Sequence, residues 1–226
     1  FQGDSPWLKP IKFHYALSIY LITLAFFARY VSPTLRASRR WNVFVAVVCV
    51  SVVYETLWVG AAASMNVASH FNETSLAWGM AYALAGVGAV LLTAGSLGLG
   101  IAIARTKTTG LAPALHLSIW AGLVLTFVLT VIVAGYLSSN QGHFVGTSTR
   151  QLAILGWSRD AGDLRVAHFL ATHALHGLPL VGLIASRAFP GSARGIVILA
   201  ALSYTALVLG TFAQALMGLP FLPVLG

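Results

Sequence analysis

The chain has 226 residues, 58% of them hydrophobic and only 8% charged. Soluble domains carry about 25% charged residues, so this composition, with a mean hydropathy of +0.85, excludes a soluble enzyme and points to an all-α polytopic membrane protein. The 13 Lys and Arg against 5 Asp and Glu give a net charge of +8, but they are scattered between apolar runs rather than gathered beside aromatics, which excludes a nucleic-acid partner and leaves the lipid bilayer as the partner that composition implies.

Phe1-Gln2-Gly3 reads as the remnant of an engineered protease-recognition tag, and residues 1–13 are set aside as that remnant and an N-terminal tail. Six apolar runs follow: about His14 to Val31, Trp41 to Ala63, Leu76 to Arg105, Leu111 to Leu137, Leu164 to Ala185 and Gly195 to Leu219. Each is near the ~20 residues that cross a bilayer as a helix with its backbone groups satisfied internally. The expectation is a six-transmembrane-helix bundle, a single domain over residues 14–219, with 220–226 as a C-terminal tail. The loops after the first, third and fifth runs hold Arg36, Arg39 and Arg40, then Arg105 and Lys107, then Arg187 and Arg194. The positive-inside rule places them in the cytoplasm and both termini outside. The third run is rich in small residues (Gly79, Gly86, Gly88, Gly95, Gly98), which reads as a closely packed helix. Cys49, alone of its kind, cannot form an intramolecular disulfide and reads as a small buried hydrophobe.

Function is sought in the polar residues, because seven His outnumber the five acids. At 1.5 Å per residue Glu55 sits roughly 10 Å inside the outer end of the second run, and His168, His173 and His176 lie roughly 6, 13 and 18 Å from the outer end of the fifth. His14, His70 and His143 fall at the same side, and His116 alone lies at the other. A carboxylate at the depth of Glu55 costs about 2.5–3.5 kcal/mol on insertion scales, so it faces the bundle interior or a water-filled cavity. On a continuous helix His173 and His176 are about 60° apart and share a face, while His168 and His173 are about 140° apart. Asp163 stands where an N-cap belongs, and Arg165 beside it could snorkel to the interface. Asn72-Glu73-Thr74 matches a glycosylation sequon, a motif frequent by chance.

A resemblance follows from three segments. Gly156 to Leu175 (GWSRDAGDLRVAHFLATHAL), Gly142-His143-Phe144-Val145-Gly146 and Ser69-His70-Phe71-Asn72 resemble motifs of a family of uncharacterised bacterial multi-pass inner-membrane proteins. The resemblance implies an inner-membrane location and implies that Glu55, His70, His143, Asp163, His168 and His173 belong together. The family pattern has Gln where this chain has His176 and a basic residue where it has Asn66.

The expected function is a His/carboxylate site in the outer half that binds a transition metal (iron, copper or zinc) or haem b, for redox or metal-assisted chemistry. The candidate metal ligands are Glu55, His70, His143, His168 and His173. His168 and His176 are candidates to hold a cofactor, and Glu55, Asp163 and Arg165 to act in catalysis. The alternatives are a proton-coupled transporter, with Glu55 as proton site, and a pH-sensing or structural subunit. The small-residue surface of the third run would suit a partner helix, from another subunit or a second copy of the chain.

Overall fold

The computed structural model of the protein describes residues 6–70, 72, 75–140, 142–152 and 155–222. The tag-like residues 1–3, Asp4, Phe71, the Glu73-Thr74 part of the sequon and the last four residues lie outside them. The described residues are all-α apart from two two-residue strands, and the chain forms two compact units, Phe1–Thr109 and Gly110–Gly226. Among the described residues, five helices are long and apolar enough to cross a membrane, and a sixth span results if one bent helix pair counts as one.

The first unit holds α1 (Leu8–Ala28), the short α2 (Pro33–Arg36), α3 (Arg39–Ser64) and α4 (Leu76–Arg105). Ser38 and Ser75 start α3 and α4 by accepting the main-chain N–H of Trp41 and Trp78 on their hydroxyls, which satisfies groups that a helix start leaves orphaned. The glycines of α4 divide into two sets. A side chain on Gly95 would meet Val48 of α3 and Tyr20 and Leu24 of α1, and one on Gly98 would lie 2.7 Å from the Phe44 ring. Gly79 and Gly86 face open space. The small residues therefore serve helix contact on one face of α4, as backbone-close packing in a membrane requires. The Lys9 ammonium lies 3.1 Å from His70 Nδ1, which brings the start of α1 to the α3–α4 connection.

The second unit holds α5 (Pro113–Ser139), β1 (Phe144–Val145), β2 (Gly162–Asp163), α6 (Leu164–Thr172), α7 (Ala174–Ala188) and α8 (Ala193–Leu216). The strands pair antiparallel, Phe144 opposite Asp163 and Val145 opposite Gly162. Ala114 at the start of α5, Ala185 near the end of α7 and Ala193 and Val197 at the start of α8 pack into one apolar cluster. At the other end β2 rests on the last turn of α8: a side chain on Gly162 would run into the Ala215 carbonyl. The α6–α7 pair thus runs from one end of the unit to the other.

The surface is apolar and the interior is small and partly polar. Ile22, Val50, Leu57, Leu199 and Leu202 are 65–68% exposed, while Ser51, Ser96, Ser118, Thr126 and Thr130 are buried. That is the pattern of a chain whose solvent is lipid. Cys49 belongs to this outer surface: it is exposed on α3, rather than buried as its apolar neighbours in sequence imply.

Candidate functional site

The fifth apolar run is broken. A continuous helix is the expectation, but α6 ends at Thr172, α7 begins at Ala174, and the two are bent by 49° at His173. Pro179 lies inside α7 and cannot donate to the Leu175 carbonyl one turn back. The groups freed at the junction find side-chain partners. Leu175 N–H donates to Thr126 Oγ1 of α5 at 2.8 Å, and the Tyr204 hydroxyl of α8 donates to the Leu170 carbonyl at 2.7 Å. Gly122 lets the α5 backbone come close, since a Cβ there would lie 2.8 Å from the Ala174 carbonyl and 3.2 Å from Pro179 Cδ. A broken span at membrane depth is tolerated when protein groups satisfy the backbone in this way, and such breaks mark binding sites in membrane proteins.

His173 sits at the break. Its ring stacks on Phe169 with centroids 4.0 Å apart, and the Trp157 ring meets Phe169 in a T-shaped contact at 5.5 Å. Its Nδ1 lies 2.8 Å from the Phe169 carbonyl. A carbonyl only accepts, so Nδ1 carries a proton, and in the neutral ring it is then Nε2 that holds the lone pair. This is the arrangement that orients a ligating imidazole. The His176 ring is 5.4 Å away at 47°. The pair stays together because the His173 carbonyl accepts from both His176 N–H and Gly177 N–H in the first turn of α7. His168 lies beyond the bend on α6, where its buried Nδ1 has no hydrogen-bond partner among the described residues.

His143, Asp163 and Arg165 collect at the start of α6. The His143 carbonyl accepts from Leu164 N–H at 3.0 Å. Asp163 caps α6 through Arg165 N–H, and its carboxylate also accepts from Ser158 N–H and from Nε and Nη2 of Arg165. Arg165 donates further to the Gly156 carbonyl and lies over the Phe144 ring. Every lone pair of this buried carboxylate is used, and the Arg165 side chain folds back onto it rather than out along the interface. Capping and pairing account for both residues without a catalytic step. Asp160 nearby accepts from the Thr149 hydroxyl at 2.5 Å and from the main chain of Thr149 and Arg150. The Thr149 hydroxyl, first among these donors, holds the Asp160 carboxyl below the usual aspartate range.

In the first unit Glu55 is buried on α3, and its Oε1 has no hydrogen-bond partner among the described residues. His70 has Lys9 Nζ and the Ser69 hydroxyl within 3.1 Å of its Nδ1 and the Tyr82 ring beside it. His14 Nδ1 donates to the Pro10 carbonyl at 2.6 Å. Within neither unit do three His, Cys, Asp or Glu side chains among the described residues form a group fit to hold a metal ion. The six residues grouped by the motif resemblance divide between the units: Glu55 and His70 in one, His143, Asp163, His168 and His173 in the other. Sequence reasoning missed the supports, Thr126, Tyr204 and Gly122. Their one advance signal is Gly177 and Pro179 close behind His173. The chain matches no family model, no curated protein and no solved structure.

Proposed function

We propose that this is a six-span protein of a bacterial inner membrane, with the α5–α6 connection and the His-bearing break toward the periplasm, and that His173 and His176 bind a transition-metal ion there. The observation that carries the metal reading is the His173 geometry: Nδ1 committed to the Phe169 carbonyl, Nε2 free to ligate, and a second imidazole 5.4 Å away. Two imidazoles that share one ion through nitrogens at about 2.0–2.1 Å put their ring centres about 5 Å apart in a tetrahedral arrangement. Two neutral imidazoles without thiolate suit iron, copper or zinc. Positions not filled by protein would take water or a small substrate, which gives either metal-activated water or electron transfer. Six spans are supported by the end-to-end course of α6–α7 and by the basic loops that alternate along the chain.

Elemental analysis and a visible spectrum of one purified sample test the site. The expectation is a stoichiometric metal that is lost in His173→Ala, reduced in His176→Ala and retained in His116→Ala. A Soret band would change the ligand to haem iron held by His173. A sample with neither metal nor chromophore sinks the proposal, as does equal loss from His173→Ala and His116→Ala.

A further inference from the structure

Glu55 plays no part in the proposed metal site, and its surroundings ask for a separate explanation. The side chain is 2% exposed, in the contact between α3 and α4. Gly88 of α4 makes the room for it: a Cβ there would stand 2.7 Å from Oε1 and 3.2 Å from the Tyr54 ring. Oε1 has no hydrogen-bond partner, and no ion pair joins Glu55 to a cation among the described residues. The facing groups do not supply one. The Tyr54 hydroxyl on α3 donates to the Ala81 carbonyl. On α1, the Tyr20 hydroxyl donates to the Leu92 carbonyl, His14 donates to Pro10, and Lys9 lies against His70. On α4 the titratable side chains are Tyr82, which lies against His70, and Arg105 at the far end of the helix. Burying an ionised carboxylate without a donor is costly, whereas the neutral acid is tolerated.

We propose that Glu55 is a proton-binding site of the first unit, a carboxylic acid held in a slot that Gly88 leaves open and loaded with an exchangeable proton. Its ligand is the proton itself, and Gly88 is its positioning residue. A carboxylic acid in such a place is the substrate of a membrane-soluble carbodiimide. The acid proton moves to one carbodiimide nitrogen as the carboxyl oxygen adds to the central carbon. The acyl group then migrates from oxygen to nitrogen, and the stable N-acylurea retains every atom of the reagent.

The test uses the whole protein in lipid vesicles, treated at neutral pH with dicyclohexylcarbodiimide and read by peptide mass mapping. Infrared difference spectra in H₂O and D₂O run beside it. The expected result is one adduct at Glu55, none with a water-soluble carbodiimide, and none in Glu55→Gln. A protonated-carboxyl C=O band should shift in D₂O and vanish in Glu55→Gln. Gly88→Ala should slow labelling and displace the band. No adduct at Glu55 in folded wild-type protein, or equal labelling by the water-soluble reagent, overturns the proposal. So does a C=O band unchanged in Glu55→Gln. Labelling and band should be unchanged in His173→Ala, so the metal proposal and this one fail separately.

Discussion

Asp163 shows how one residue of this chain serves several ends at once. It caps α6, receives two N–H groups of Arg165 and takes the main-chain N–H of Ser158. Removing it in Asp163→Ala leaves these donors unpaired and should destabilise the protein by about 2–3 kcal/mol. Arg165→Ala should cost less, because both main-chain donors to Asp163 remain. Thermal unfolding in detergent checks the order, and equal shifts for the two would contradict the capping account. Asp160 is the pH-sensitive counterpart. Its carboxyl lies below the ordinary aspartate range, so its hydrogen bonds stabilise the loop fully above the ordinary value of about 3.9. That contribution is lost as pH falls through the lower folded value. Protection of the Thr149 and Arg150 amides relative to their intrinsic exchange rates should therefore hold from neutral pH down to about pH 4 and fall only below it. Loss of protection already at pH 6 would show that another group controls the loop.

The broken helix is the element on which the candidate site depends. A break inside a span survives because Thr126 and Tyr204 take over the freed backbone groups. Thr126→Val keeps the shape and deletes the acceptor for a buried N–H, so it should cost about 1–3 kcal/mol. Tyr204→Phe leaves the Leu170 carbonyl with the His173 N–H as its remaining donor at the junction, and should cost at the lower end of that range. Both variants should loosen metal retention without touching a ligand, as equilibrium dialysis of the metal would show. Unchanged stability and retention would mean that the break is held by something else. The break also marks where reading the sequence stopped working. The apolar run, Asp163 as N-cap and the pairing of His173 with His176 were all legible, because they follow from hydropathy and from spacing within about one turn. The angular place of His168 relative to His173 was not, since a count of 100° per residue does not survive a 49° bend. Gly162, Gly182 and Gly122 were illegible for a different reason. Each is small because a particular atom of a distant segment presses on it, Ala215, Ser118 and Ala174 respectively, and a sequence does not state its long-range neighbours.

At the scale of the whole molecule, hydropathy gave the membrane class directly, while the number of crossings depends on how the bent pair is counted. Five spans leave α6–α7 as a re-entrant loop, and six make it a crossing. The two differ in where the α7–α8 connection emerges. In the second unit the end of α7 packs with the starts of α5 and α8, and β2 packs with the end of α8. A crossing therefore puts Arg194 on the same side of the membrane as the start of α5 and opposite Thr147. Arg187 and Arg194 agree with the cytoplasmic preference of Lys and Arg, while Arg150 and Arg159 stand near Thr147 with Asp160 and Asp163 as a partial offset. With Cys49 replaced by Ser, single cysteines at the exposed positions 107, 147 and 194 can be challenged with a membrane-impermeant maleimide in intact bacterial cells. Thr147→Cys should label, whereas Lys107→Cys and Arg194→Cys should label only after the membrane is opened. Labelling of Arg194→Cys together with Thr147→Cys would make α6–α7 re-entrant and reduce the count to five. It would also leave His173 near the tip of a loop that dips into the membrane and returns, where water could reach a bound metal without passing through a packed bundle.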